Sequence, residues 1–232
     1  MDEIIAQQTA RKIIKNVFQI DYDISLDEIE QKFAFDLGLP NQFRDDTTGE
    51  AAWSIVNGAK RYITLENMLK HDEQTSWMRA KRDFHSIDEI IAAWEEVNYM
   101  TSNRLSDTIN SSKCDTVYRS EYIYQSTNCF NGKYFLYCNT CSDSEYLIAS
   151  RRSANSNFCI RLDDSINSSN CFSVNYSNKI INSFFIQDCF DLQDCMFCSH
   201  LSSCRFCIAN MQFEEAEYRE IKPQIVKWIL ES

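Results

Sequence analysis

Glycine and proline are scarce, with 4 and 2 residues in a chain of 232. So little glycine leaves no phosphate-cradling loop, and neither GxGxxG nor GxxxxGK followed by Ser or Thr occurs. No apolar run reaches the roughly 18 residues that a membrane helix needs. The opening residues Met1-Asp2-Glu3-Ile4-Ile5 lack the basic stretch and apolar run of a signal peptide, so a cytoplasmic, reducing setting is expected. Basic charge is in deficit, 23 Lys and Arg against 34 Asp and Glu, which argues against direct nucleic-acid binding. Cysteine is missing before residue 114 and after residue 207, yet 11 cysteines lie between.

Those cysteines share one register. Cys114, Cys129, Cys138, Cys141, Cys159, Cys171, Cys189, Cys195, Cys198, Cys204 and Cys207 all stand at multiples of three. Of the 36 positions taken every third residue from Leu105 to Asn210, eleven are Cys, eleven Ser and ten Leu, Ile or Val, and none is charged. One register in three is therefore small or apolar and hidden, and the repeat is structural. A period of three fits neither a helix nor a flat strand. It fits a tight parallel β-solenoid, with Cys as a small hydrophobe and Ser bonding to the backbone inside. Asn128, Asn170, Asp188 and Asp194, each just before a cysteine, suit corners in the left-handed backbone region. A coil of five triplets would stack Cys114, Cys129, Ser144 and Cys159, and one of six would align Cys171, Cys189 and Cys207. The near-copies TINSSKCDTV (108–117) and SINSSNCFSV (165–174) are offset by a multiple of neither. A coil of about 15–18 residues is the expectation.

The segments SSNCF (168–172) and QDCFDLQDCMFCSHLSSCRFCIAN (187–210), followed by MQFEEAEYREI, carry a resemblance. They are similar to the Cys-rich triplet-repeat tail of uncharacterised proteins from candidate-phylum bacteria and phages. The resemblance covers residues 105–222, implies a β-solenoid, and brings no activity or functional residue with it.

The expected architecture is α+β in three parts. Residues 1–104 form an α-rich N-terminal domain, 105–212 a Cys/Ser-filled parallel β-solenoid, and 213–232 an amphipathic helical cap. Ile13, Ile14, Val17 and Phe18 mark a first helix, and Ser25-x-x-Glu28 and Ser86-x-x-Glu89 are capping boxes opening two more, the first of these stopping at Gly38. Residues 39–63 read as a long loop or short hairpin. Trp53, Trp77 and Trp94 read as core anchors. The tail reads as two helices, with Pro223 opening the second. The helical ends are natural covers for the solenoid's end coils.

The strongest chemical motif is Cys195-x2-Cys198-x5-Cys204-x2-Cys207, a candidate zinc or iron–sulfur set. Its cysteines continue the period-three interior, and the central gap is shorter than in zinc ribbons. No bound metal or cofactor is therefore expected. The histidines are His71, His85 and His200. His71-Asp72-Glu73 and His85 lack metal-ligand spacing, and His200 stands just outside the inward register beside Leu201. Left-handed β-helix acyltransferases use a catalytic His, but their hexapeptide repeats need glycines absent here. No catalytic constellation converges. An acidic DNA mimic of the pentapeptide-repeat kind is an alternative, yet residues 105–213 carry only 10 acidic against 8 basic side chains. The expected function is a non-enzymatic structural or protein-interaction module that binds another protein or its own copies. Phe130, Tyr134, Tyr137, Phe172, Phe184 and Phe190, beside the inward register, are the candidate contact residues.

Overall fold

A computed structural model describes residues 1–71 and 77–231. The backbone of the Cys-rich region repeats every three residues. From Asp107 to Ala209 every third residue has φ between 42° and 60°, and none of these residues is glycine. Asn and Asp, which enter the left-handed region most readily, occupy 13 of these positions, and Val, Ile and Leu, which do so least readily, occupy none. The residue after each such turn faces inward, which puts the inward set on multiples of three. Asn128, Asn170, Asp188 and Asp194 all lie at positive φ, as their sequence context implies.

The strands from β5 (Leu105–Ser106) to β22 (Met211–Gln212) form one 18-stranded sheet wound as a parallel β-solenoid. Asp115 pairs with Thr127, Lys133 with Glu145, Cys159 with Cys171 and Leu192 with Cys204, each partner one coil further along the chain. A coil is therefore four triplets, about 12 residues, and there are about nine turns. This corrects the longer coil expected from the sequence, about 15–18 residues. The repeating unit is the triplet. The two near-copies are separated by a whole number of triplets but not of coils, so they need not share a side.

The interior explains why Ser and Cys dominate. Inward serine hydroxyls donate to the carbonyl two residues back and accept from the N–H of residue i+12 in the next coil. Ser126 Oγ donates to Tyr124 O at 2.8 Å and accepts from Cys138 N at 2.9 Å; Ser183 does the same between Ile181 O and Cys195 N. Backbone groups turned inward by the triplet geometry thus find partners in a space too narrow for water chains. Cysteine plays part of this role: Cys171 Sγ donates to Ser169 O and approaches Ile180 O, at 3.1 and 3.2 Å. One aromatic, Phe135, fits inside because Gly132 precedes it. A Cβ at Gly132 would lie 2.2 Å from the Phe135 ring.

Outside the solenoid, α1 (Glu3–Phe18), α2 (Leu26–Phe33) and α5 (Glu215–Glu231) lie against one long side. That side carries Tyr124, Leu136, Ile148, Ile160, Phe172, Phe184 and Met196, one per coil, all buried. Ala10, Ile13, Ile14, Val17 and Phe18 of α1 pack onto them, and Phe18 sits 5.4 Å from Phe172 and 5.6 Å from Phe184. These helices therefore clad a flank rather than cover the end coils. The reason is an apolar column that only a parallel helix can bury along its length. Ser25 forms the full capping box with Glu28, but α2 ends at Phe33, short of Gly38. The tail is one helix with Pro223 inside it, not two.

Residues 41–71 and 77–102 precede the first coil. β1 (Asn41–Arg44) and β2 (Ala51–Ser54) form a hairpin, while β3 (Arg61–Thr64) pairs in parallel with β4 (Tyr99–Ser102). α3 (Leu65–Leu69) and α4 (Ile87–Glu95) lie between those last two strands. The buried Asp45 carboxylate ties this unit together, accepting hydrogen bonds from Thr47, Thr64 and Asn67. Fully buried Asp115 joins it to the solenoid, accepting from Arg104 Nε, Arg104 Nη2 and Ile55 N at 2.9, 2.5 and 3.1 Å. At the far end β22 turns back antiparallel on Cys207–Ile208.

Candidate interaction surfaces

The cysteines line the solenoid interior. All eleven are free, and ten are buried. Cys195, Cys198, Cys204 and Cys207 donate to Gln193 O, Met196 O, Ser202 O and Arg205 O, in each case the carbonyl two residues back. Cys195 and Cys207 stand one coil apart on one wall, and Cys198 takes the next wall. Among the described residues no three His, Cys, Asp or Glu side chains gather as a metal site; Asp72 and Glu73 lie outside those residues. Burial pushes the Cys114 thiol up to about 12 and raises Cys129, Cys138 and Cys159 as well. Hydrogen bonding with Cys198 and burial raise Cys195, and the same hydrogen bond lowers Cys198 to about 6. A raised thiol is a poor nucleophile and a poor ligand at neutral pH.

The six aromatic contact candidates separate by position. Tyr137, Phe172 and Phe184 are buried under the chain's own helices and cannot meet a partner; the Tyr137 hydroxyl donates to Leu26 O at 3.0 Å. Tyr134 belongs to a ladder of rings, Tyr122–Tyr134–Tyr146–Phe158, stacked 4.4 to 4.9 Å apart. That spacing is the rise between coils. Lys12 lies 4.0 Å from the Tyr146 centroid, so α1 shields this ladder too. Phe130, stacked on Tyr118 at 5.4 Å, and Phe190, beneath Lys179, stand half a coil out of phase with the clad column and remain on the open flank. His200 is exposed, 3.9 Å from Asp188.

Among the described residues an apolar ridge without a partner lies on α4, where sequence reasoning did not place it. Ile87, Ile90, Ile91 and Trp94 are between 45% and 70% exposed. Their spacing of i, i+3, i+4 and i+7 sets them on one helix face. Trp94 is thus a surface residue and not a core anchor, while Trp53 and Trp77 are half-buried. The signal was present in IIAAWEEVNYM: amphipathicity identifies an apolar face but not whether the chain itself covers it. Ser86 caps α4 by accepting from Glu89 N at 3.2 Å, and Glu89 reaches back to His85 N at 2.7 Å. The two ends of α4 differ in charge. Asp88 and Glu89 occupy the first turn, whereas Arg79 and Arg82 gather at Glu96 beyond the last.

The chain matches no family model, no curated protein and no solved structure. No helix among the described residues is long and apolar enough to cross a membrane.

Proposed function

We propose that this chain is a non-enzymatic structural and interaction module whose partner is a second copy of itself. The exposed α4 ridge carries this reading. Four large apolar side chains on one face of a nine-residue helix are an association surface rather than scattered exposure. Charge favours a two-fold, antiparallel pairing of α4 with its symmetry mate. Asp88 and Glu89 of one copy then face the Arg79 and Arg82 cluster of the other, and each contact occurs twice. In this reading the solenoid is a rigid arm, its thiols occupied in packing.

Size-exclusion chromatography with light scattering tests it. A dimer of twice the chain mass is expected, converting to monomer in Ile91→Glu/Trp94→Glu with no loss of melting temperature. A wild-type chain that stays monomeric at high concentration overturns the self-association reading.

A further inference from the structure

Two cavities adjoin where α1 and α5 meet the solenoid, sharing Gln19, Arg219 and Lys222 in their walls. The first, about 330 Å³, is apolar, walled by Phe18, Ile20, Tyr22, Pro223, Val226 and Leu230. The second, about 380 Å³, is polar, with Gln193, Asp194, Arg205 and Tyr218 in its lining.

Two side chains of the polar cavity lack the partners their burial demands. Tyr218 is 1% exposed, and its buried hydroxyl has no hydrogen-bond partner among the described residues. Such a group costs free energy unless something else satisfies it. Lys222 is half-buried and forms no ion pair among the described residues; its ammonium lies 3.4 Å from Asn182 O and 4.9 Å from the Phe184 ring centroid. Burial lowers its pKa. Arg219 nearby is already held by Glu215 at 2.5 Å. In a chain of net charge −11, this is a pocket with a spare cation and a spare hydroxyl beside an apolar chamber.

We infer that this double cavity binds a small anionic amphiphile, its anionic head on Lys222 and Tyr218 and its apolar body between α1 and α5. A carboxylate and a phosphate monoester share the head-group chemistry the site can read. The apolar chamber has the size and lining of small-ligand pockets generally. Asp194 in the same lining favours a head of single charge over a polyanion.

The probes are decanoate, decyl phosphate, decanol and inorganic phosphate, titrated by calorimetry into the full chain. Decanoate or decyl phosphate should bind, and the tighter of the two identifies the head group. Decanol and inorganic phosphate should each bind about tenfold more weakly or not at all, because each supplies only half the recognition. Lys222→Met should weaken the anionic probe about tenfold while leaving decanol unchanged. Tyr218→Phe removes a hydroxyl with no protein partner, so the variant should melt no lower than wild type and yet bind the anionic probe several-fold more weakly. No binding by either anionic amphiphile, equal binding of decanol, or unchanged affinity in both variants overturns the inference.

Discussion

Two apolar ridges of similar chemistry meet different fates in this molecule. The column from Tyr124 to Met196 runs the length of the solenoid and is buried by α1 and α5. The ridge on α4, from Ile87 to Trp94, is left exposed by the described residues. Both are equally apolar in sequence, so composition does not separate them. Length does: a column of one side chain per coil over many coils matches a helix laid alongside, whereas nine helical residues at one end offer a small, self-contained patch. The covered ridge belongs to folding; the bare one is the surface proposed above for association.

Breaking the covered ridge should have the largest effect. Phe184→Ala empties a fully buried site between α1 and the solenoid and should cost about 3–5 kcal/mol, read by urea denaturation. Overfilling the interior comes next. Gly132→Ala presses a methyl into Phe135 and should cost about 1–3 kcal/mol, with Gly132→Ala/Phe135→Leu recovering part of it. Ser183→Ala removes the acceptor for the Cys195 N–H and should cost about 1–3 kcal/mol, less in Ser183→Cys. On the bare ridge, Ile91→Glu/Trp94→Glu should move stability by no more than about 0.5 kcal/mol while abolishing the dimer.

Acid acts both on the unit that carries the bare ridge, through Asp45, and on the solenoid, through Asp163. Burial alone would raise Asp45, but hydrogen bonds from Thr47, Thr64 and Asn67 outweigh it and lower its pKa in the folded state. Asp163 is likewise lowered, its burial offset by Arg151 and Arg152. A depressed folded pKa gives stability that is full above the unfolded value, about 3.9, and is lost as pH falls through the folded value. Melting temperature should therefore drop below about pH 4, and Asp45→Asn, though less stable at neutral pH, should show a shallower drop. An unchanged slope in that variant would assign the acid response to other carboxylates.

The solenoid was legible because its interior allows only small or apolar side chains, so every third residue reports on it. Coil length was not. Every candidate coil is a whole number of triplets, so the inward register fits four, five or six triplets equally well. Stacking cysteines into one column favoured the wrong multiple, because serine and cysteine do equivalent work inside. An outer signal did distinguish them: Tyr124, Leu136, Ile148, Ile160, Phe172 and Phe184 recur at every fourth triplet. Trp94 misled for a different reason, since an apolar face reads the same whether a chain buries it or presents it. The double cavity at Lys222 and Tyr218 joins residues from α1, α5 and three coils, and no local pattern anticipates it.

Four triplets to a coil make the rod a dial as well as a ruler. Duplicating one whole coil would lengthen it by one strand spacing, about 4.8 Å, and leave everything beyond it facing the same way. Duplicating a single triplet ahead of Phe172 would swing the remainder, α5 included, through a quarter turn, carrying Phe172 and Phe184 away from Phe18 of α1 and Leu230 of α5 away from Tyr22 and Lys32. Growth of such a molecule is therefore tolerated in whole turns and penalised in fractions of one. Length and bearing are set by the same short word of sequence.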